Sequence, residues 1–303
     1  MPTPARRLSR FLDPALLAQV GSLELRARAV VEGFIAGLHK SPFKGFNVEF
    51  AEYRQYVPGD PLKDIDWKVY GRTDKYYIKE HEEETNLAGF VVLDTSASMA
   101  WQGGGTLSKL DYAATLAATL AYLMLRQQDT VGLITFAREL EHFVPAKGGL
   151  AHLKALCTVL EDITPGAGTD VAAALGRAAR ALRKRGLVLI FSDLLDNLEA
   201  VLHHARLLKT RRHEVVVFHV LDPHELAFPF GGPVELRDLE DHSKIETDAH
   251  GIRREYLRQV QQFTGRLRSG MRRFGIDYLL TDTGKPLEMG LKSFFTRRSA
   301  ALA

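Results

Sequence analysis

The chain has few of the features that mark special classes of protein. It contains one cysteine, Cys157, which excludes an internal disulfide or a CxxC metal site, so a reducing compartment is expected. It has 40 Lys and Arg against 37 Asp and Glu, and this net charge of +3 is too small to indicate a nucleic-acid partner. Its composition, 46% hydrophobic and 25% charged, is instead typical of a folded globular protein.

No segment has the length and composition of a membrane-spanning helix. The most apolar stretch, Ala113–Leu125, contains two threonines and a tyrosine, and Asp111 and Arg126 flank it. A spanning helix needs roughly 20 apolar residues, so this stretch is predicted to be a buried helix of the core. The first residues, MPTPARRLSRFLDP, lack the apolar region of a secretory signal. We therefore expect a cytoplasmic protein without a transmembrane segment.

The sequence divides into two parts that differ in composition and in hydrophobic pattern. Residues 1–85 combine one or two short helices, expected within 13–38, with an aromatic and charged segment from 39 to 85 that is typical of short strands and turns. Residues 86–303 alternate apolar strands with amphipathic helices, and the stretch after 222 is irregular until a helix begins near 250. Strands are predicted at 87–94, 130–137, 186–193, 214–222 and 276–282, with another following at 140–144, and helices at 107–128, 149–161, 171–184, 197–210 and 250–274.

This alternation predicts an α/β fold, in which a doubly wound, mostly parallel sheet is flanked by helices and joined to a small N-terminal helical and β subdomain. The functional site of such a sheet lies at the carboxyl ends of its strands. Three of the predicted strands end in aspartate, namely Asp94, Asp193 and Asp222. We therefore expect the functional site at that edge of the sheet.

The strongest chemical signal is the segment Asp94-Thr-Ser96-Ala-Ser98, directly after the first of these strands. Alternate side chains in the turn after a strand can point the same way, so one carboxylate and two hydroxyls converge. Such oxygens suit Mg²⁺, Mn²⁺ or Ca²⁺ and do not favour Zn²⁺. Thr169, in a glycine-rich loop before a predicted helix, and Asp193, at the end of another strand, can complete the donor set.

Together these segments resemble the metal-ion-dependent adhesion site of von Willebrand factor A domains, over about residues 86–282. The resemblance implies a von Willebrand factor A-like fold and a metal site with Ser96, Ser98 and Thr169 as hydroxyl ligands. It also implies that Asp94 and Asp193 bind the ion directly or through water. The alternative for the first segment is a polar turn that caps the following helix, because Asp and Ser are good helix caps.

A second resemblance lies in the N-terminal part. The segment Arg54–Lys68 (RQYVPGDPLKDIDWK), Arg72 and the run Lys79–Glu84 (KEHEEE) resemble the signature of the domain-of-unknown-function fifty-eight family of bacterial proteins. Members have a von Willebrand A-like domain and are often paired with MoxR-type AAA+ ATPases, so the resemblance implies such an ATPase as a partner. For the signature itself, an ion-paired β subdomain with Trp67 in its core is favoured over a catalytic centre built on its aspartates.

A divalent cation held by two carboxylates and neutral hydroxyls stays electrophilic and can accept one more anionic oxygen. We therefore expect a non-enzymatic module that binds an Asp or Glu of a protein partner through Mg²⁺. Trp101 and a flexible Gly103–Gly105 loop are expected at the rim of the site. With the ATPase, the module would act in the assembly or maturation of a protein complex.

Two other hypotheses stay open. The first is a haloacid-dehalogenase-like, Mg²⁺-dependent phosphatase with Asp94 as the nucleophile. Such an enzyme has a general acid two residues later, where this chain has Ser96, which cannot serve as that acid at neutral pH. The second is a purely structural scaffold, which predicts no response to metal.

Overall fold

The computed structural model describes residues 21–38, 53–56, 70–72, 76–79, 87–166, 168 and 170–302. The chain divides into two compact units, of which one comprises residues 1–39 and 87–303 and the other residues 40–86. Helices and strands are numbered in chain order over the described residues. The first helix, α1 (Leu23–Leu38), belongs to the larger unit, whereas the sequence had grouped it with the N-terminal subdomain.

The smaller unit has two short strands in its described part, β1 (Tyr53–Gln55) and β2 (Tyr77–Lys79), which pair antiparallel. The Tyr70 and Tyr76 rings stack with their centroids 4.5 Å apart. Short strands and aromatic contacts agree with the aromatic and charged composition of this segment, from which short strands and turns were predicted. Most of the signature, including Trp67, lies outside the described residues, so both interpretations of it remain predictions.

Six strands of the larger unit form its central sheet, in the order β10-β7-β6-β3-β4-β5 over the described residues. All pair in parallel except β5, which runs antiparallel to β4 at one edge. A separate hairpin is formed by β8 and β9. The strands are β3 (Ala88–Asp94), β4 (Thr130–Phe136), β5 (Leu140–Lys147), β6 (Leu187–Ser192), β7 (Glu214–Leu221), β8 (Pro233–Arg237), β9 (Lys244–Asp248) and β10 (Asp277–Asp282).

Helices cover both faces of this sheet. Alternate strand residues point to opposite faces, so Val91 and Leu93 of β3 join one hydrophobic cluster while Phe90 and Val92 join the other. The first cluster includes α1, α2, α3 and α8, and the second α4, α5 and α7. The helices after α1 are α2 (Lys109–Arg126), α3 (Leu150–Glu161), α4 (Val171–Ala181), α5 (Leu198–Thr210), α6 (Pro223–Ala227), α7 (Ala249–Arg273) and α8 (Leu287–Leu302).

The apolar stretch of the sequence is the core helix α2. Every residue of this helix except Asp111 and Arg126 is buried. The side chain of Ser108 caps its first turn by accepting from the Asp111 N–H. Among the described helices, none combines the length and the apolar composition needed to span a bilayer.

The predicted fold class, a doubly wound and mostly parallel α/β sheet flanked by helices, is confirmed. The predicted strands and helices of the sheet all occur, with ends that differ by a few residues. The stretch from 223 to 249, which was expected to be irregular, instead contains α6 and the β8–β9 hairpin. Cys157, the lone cysteine, is buried in the cluster that includes α3, and burial raises the pKa of its thiol to about 12.

Candidate metal centre

Four of the five predicted ligands lie together at the carboxyl-terminal edge of the sheet. Asp94 is the last residue of β3, and Asp193 directly follows β6, the neighbouring strand. Ser96 and Ser98 lie at the start of a short 3₁₀ helix that spans Ala97–Ala100. Thr169 lies outside the described residues, although Gly166, at the start of the glycine-rich loop, forms a parallel bridge with Ser96.

The two serine hydroxyls lie together beside the two carboxylates. Their oxygens are 3.1 Å apart, so one hydroxyl hydrogen-bonds to the other. The Ser96 side chain favours the ionised form of Asp94, and the Ser98 side chain favours that of Asp193. A hydroxyl carries one proton and two acceptor lone pairs, so each oxygen can still offer a lone pair to a cation.

Asp94 is fully buried and held at both of its oxygens. Oδ1 accepts from the Ser96 N–H at 3.0 Å, and Oδ2 accepts from the Ser192 hydroxyl at 2.6 Å. Burial, together with the negative charge of Asp193, raises the pKa of Asp94 to about 7. A cation between the two carboxylates would relieve this repulsion and favour the ionised form.

Lys109, at the start of α2, is a cationic partner that sequence analysis missed. Its buried ammonium lies 2.8 Å from Asp193 Oδ2 and 2.6 Å from Glu225 Oε1. Burial alone would raise the pKa of Asp193, but Lys109 and hydrogen bonds from Ser98 and the Leu195 N–H hold it below its usual value. Burial raises the pKa of Glu225 even beside this ammonium. A lysine that opens an otherwise apolar helix was the available signal.

The donor set fits a hard divalent cation better than a softer one. In the part of the chain that the structure describes, no group of three or more His, Cys, Asp or Glu side chains is placed to hold a metal ion. A metal here therefore depends on hydroxyl and water oxygens beside the carboxylates, which suits Mg²⁺ or Mn²⁺. The ammonium of Lys109 pairs with Asp193 and Glu225, whereas the charge of Asp193 acts on Asp94. A divalent cation would offset the remaining negative charge of these carboxylates.

Comparison with known proteins assigns the chain to a family. The sequence profile described as "Protein of unknown function DUF58" matches residues 52–264. The uncharacterized proteins Mb1516 of Mycobacterium bovis and Rv1480 of Mycobacterium tuberculosis are each 31% identical to this chain over 234 residues, which cover 75% of this chain and 72% of the relative. The chain belongs to the DUF58 family.

Solved structures similar to this DUF58 protein are more distant. BatB from Bacteroides thetaiotaomicron is 18% identical, with a TM-score of 0.49 over 71% of this chain and 99% of BatB. An aerotolerance-related membrane protein from Bacteroides fragilis is 20% identical, with a TM-score of 0.49 over 69% of this chain and 99% of that one. The VWA domain of SpRpn10 is 12% identical, with a TM-score of 0.40 over 68% of this chain and 94% of that domain. Functional conclusions for this DUF58 protein therefore rest on its own residues.

Asp222, the third strand-terminal aspartate, holds the glycine loop beside the site. Its carboxylate accepts hydrogen bonds from the N–H groups of Gly103, Gly104 and Gly105 at 2.8–3.1 Å. Burial alone would raise the pKa of Asp222, but these bonds and one from the His224 N–H hold it below its usual value. The loop was expected to be flexible, and this cradle instead anchors it.

The three glycines are required because the loop packs against its neighbours without room for side chains. A Cβ at Gly103 would lie 2.8 Å from Asp222 Oδ1, and one at Gly104 would lie 2.6 Å from His224 Cδ2. A Cβ at Gly105 would lie 2.6 Å from the Thr283 hydroxyl. The backbone of Gly103–Gly105 therefore lies too close to its neighbours for larger residues. The anion that its N–H groups bind is the carboxylate of Asp222, within the same chain.

His219 hydrogen-bonds to the backbone of Asp193. It is fully buried, its Nε2–H bonds to the Asp193 carbonyl at 2.7 Å, and Nδ1 pairs with the Tyr278 hydroxyl. Burial lowers the pKa of His219 to about 4, so the ring is neutral at physiological pH.

Trp101 lies at the rim of the site, as expected. It lines a cavity of about 330 Å³ together with Ser98, Lys109, Glu225 and residues of the β8–β9 connection. Its indole nitrogen is buried and has no hydrogen-bond partner among the described residues. Ser98 thus connects the candidate centre with this cavity. The indole N–H of Trp101 is a hydrogen-bond donor at its edge without a partner among the described residues.

Proposed function

We propose that this DUF58 protein is a non-enzymatic, metal-dependent protein-interaction module. Asp94, Ser96, Ser98 and Asp193, with Thr169 as the fifth ligand, would hold one Mg²⁺ or Mn²⁺. The observation that carries the proposal is that two carboxylates, Asp94 and Asp193, and two serine hydroxyls 3.1 Å apart lie together at one edge of the sheet. The bound ion would supply an electrophilic position for one further anionic oxygen.

The chain's own residues would keep that position attractive to a partner carboxylate. Lys109 offsets part of the negative charge of Asp193, so the donors neutralise the ion less completely. The cavity beside Trp101, which Ser98 also lines, gives a partner side chain access to the ion. An Asp or Glu side chain of a protein partner has the charge and the reach that this arrangement requires.

The proposed partner is a MoxR-type AAA+ ATPase, acting with this protein in the assembly or maturation of a protein complex. Membership of the DUF58 family supports this partner through the family resemblance, and the pairing is otherwise a hypothesis. The test is capture of the purified ATPase by this protein with Mg²⁺ and with EDTA. We expect capture only with Mg²⁺, and equal capture under both conditions would contradict metal dependence.

One observation favours a second candidate function, a metal-free interaction module. The Lys109 ammonium already lies 2.8 Å from Asp193, so it is a resident cation for that carboxylate. In this case Asp94→Asn would leave partner binding unchanged and EDTA would have no effect. The same capture experiment therefore separates the two modules.

The phosphatase hypothesis is less well supported by the geometry. A nucleophilic aspartate needs a free oxygen facing substrate, but Asp94 is fully buried and both of its oxygens accept hydrogen bonds. Ser96 occupies the place of the general acid, and its backbone N–H donates to Asp94 itself. We expect no phosphate release above background with Mg²⁺, and turnover that is lost in Asp94→Asn would overturn the module proposal.

A further inference from the structure

A second cavity, lined mainly by apolar and aromatic side chains, adjoins the cavity beside the candidate metal centre. Its volume is about 500 Å³, within the range that ligand pockets span. Four residues line both cavities, namely Trp101, Glu225, Arg237 and Leu239. A partner side chain that enters the first cavity would therefore have this apolar space directly beside it.

Aromatic rings form the walls of this second cavity, the aromatic cavity. The Phe228 ring contacts those of Tyr256 and Phe230, with centroids 4.5 and 5.1 Å apart. Phe230 also meets the ring of His224 at 5.4 Å. Phe228 has a φ of 43°, in the left-handed region that a bulky residue adopts only where its surroundings hold it. The cavity is thus preformed, so filling it requires little ordering of its walls.

The charges around the aromatic cavity favour an acidic partner. Two acidic residues of its wall already have cations. Glu225 pairs with the buried ammonium of Lys109. Glu235 pairs with Lys244 on the neighbouring strand. Arg237, by contrast, is exposed, lines both cavities and has no ion pair with another described residue, so it would attract a carboxylate.

We propose that the aromatic cavity receives an aromatic side chain, which the protein partner carries beside the acidic residue that binds at the centre. The inference rests on the proposed function and adds the second half of the motif that is recognised. The indole N–H of Trp101, without a partner among the described residues, can donate to a backbone carbonyl of the same segment. A few buried anchors, often aromatic, carry most of the binding energy at protein interfaces.

The test measures the binding of blocked peptides to the full-length protein with Mg²⁺, by saturation-transfer difference NMR. Because the two cavities share part of their walls, the acidic and the aromatic residue should be adjacent or one residue apart. The probes are acetyl-Glu-Phe-amide, acetyl-Phe-Glu-amide and the same pairs with one glycine between them. Each is compared with the peptide that has Ala in place of Phe. In at least one of these four frames, we expect Phe to strengthen binding at least about tenfold, because its ring becomes buried.

Filling the aromatic cavity should remove this preference. Val234 lines the cavity from β8, so Val234→Phe places a ring in the space that the partner would use. Ile245→Phe is the matched control, because Ile245 lies on β9 of the same hairpin and is 64% exposed. Phe and Ala peptides should bind equally to Val234→Phe, while the control keeps the tenfold difference. Val234→Leu adds less volume, should give a smaller loss, and serves if the phenylalanine variant does not fold.

Equal binding of Phe and Ala peptides to the wild type in every frame would overturn the inference, and so would a preference that persists in Val234→Phe. Dimerisation of the wild type that Val234→Phe abolishes, seen by analytical ultracentrifugation, would assign the cavity to a second copy of this chain and overturn it too. The proposed function is tested separately, by replacing Glu with Gln in the peptides and Mg²⁺ with EDTA. If neither replacement changes binding while the preference for Phe remains, metal dependence fails and the aromatic cavity stands.

Discussion

Lys109 is a charged side chain without solvent contact, placed between two acidic groups. Its ammonium bonds to Asp193 and Glu225, and the charges of these carboxylates raise the pKa of Lys109 although burial acts in the opposite direction. Removing one member of a buried ion network leaves the others uncompensated, and this costs more than the network contributes. The stability of the site is therefore sensitive to this one residue.

Replacing Lys109 by methionine should lower the free energy of unfolding of the metal-free protein by about 3–5 kcal/mol. The reason is that Asp193 and Glu225 would remain buried without their cation. Urea denaturation of the wild type and the variant measures the difference. Lys154→Met, at an exposed position of α3, is the control and should change stability by less than about 0.5 kcal/mol. Equal stability of the two variants would contradict the assigned role of Lys109.

The candidate ligands were predictable one by one, but their electrostatic setting was not. Asp94, Ser96 and Ser98 follow an apolar strand at alternating positions, and Asp193 ends another strand, so the chain pattern alone placed them at one sheet edge. Nothing in the local pattern pairs Lys109 with Asp193, because they meet only through the packing of α2 against the sheet. Long-range ion pairs of this kind have no periodic signature.

At the scale of elements, the loop between the 3₁₀ helix and α2 is tied to the end of β7. Asp222 accepts from three glycine N–H groups of this loop and from the N–H of His224, and it also caps α6. Loop, strand end and short helix thus share one carboxylate, and the rim of the candidate centre depends on it.

Asp222→Asn should release the Gly103–Gly105 loop. An asparagine has one acceptor oxygen, and its NH₂ group would face glycine N–H donors, so several bonds are lost. We expect a loss of about 1.5–3 kcal/mol of stability and faster hydrogen exchange at the three glycine amides. Asp282→Asn, a partly exposed aspartate paired with Lys285, is the control. Unchanged exchange at these amides would show that the loop is held by other contacts.

The β8–β9 hairpin and helix α8 were not predicted, for identifiable reasons. The β8–β9 hairpin gives only a weak strand signal. The alternation of β8 extends over just five residues, and in β9 the apolar residue Ile245 is 64% exposed. Helix α8 does carry apolar residues at helical spacing, Leu287, Leu291 and Phe294, all of which are buried. The elements predicted from the sequence end with the strand at 276–282, so this signal was not used.

At the scale of the whole molecule, the two-sided burial of the sheet accounts for most of what could be predicted. Strands such as LVLIFS are buried on both faces and therefore form continuous apolar runs, which are the strongest strand signal in the sequence. The same burial isolates groups such as His219 from water. Global stability then depends on the protonation of groups that have no contact with solvent.

His219 should make stability depend on acidity between pH 4 and 6.5. Its pKa is about 4 in the folded protein and near 6.5 when unfolded, so the unfolded state binds more protons in this window. Stability is therefore lost as the pH falls from 6.5 to 4, because burial disfavours the charged form of the ring. This group should account for up to about 3 kcal/mol of the change.

The measurement is the free energy of unfolding from urea titrations at pH 4.5, 5.5 and 6.5. The slope of stability against pH should be smaller in His219→Gln than in the wild type, whatever the absolute loss of stability. His203→Gln, on α5, is the control and should keep the wild-type slope. The same slope in wild type and His219→Gln would exclude His219 as the titrating group.

The most direct test of the metal centre is titration of the purified protein with Mn²⁺, followed by calorimetry, in wild type, Asp94→Asn and the exposed control Asp162→Asn. We predict one Mn²⁺ per chain in the wild type and in the control. Asp94→Asn should lose binding by at least about 100-fold while keeping the wild-type circular dichroism spectrum. A wild type that binds no divalent cation, or an Asp94→Asn variant that binds it equally well, would contradict the account.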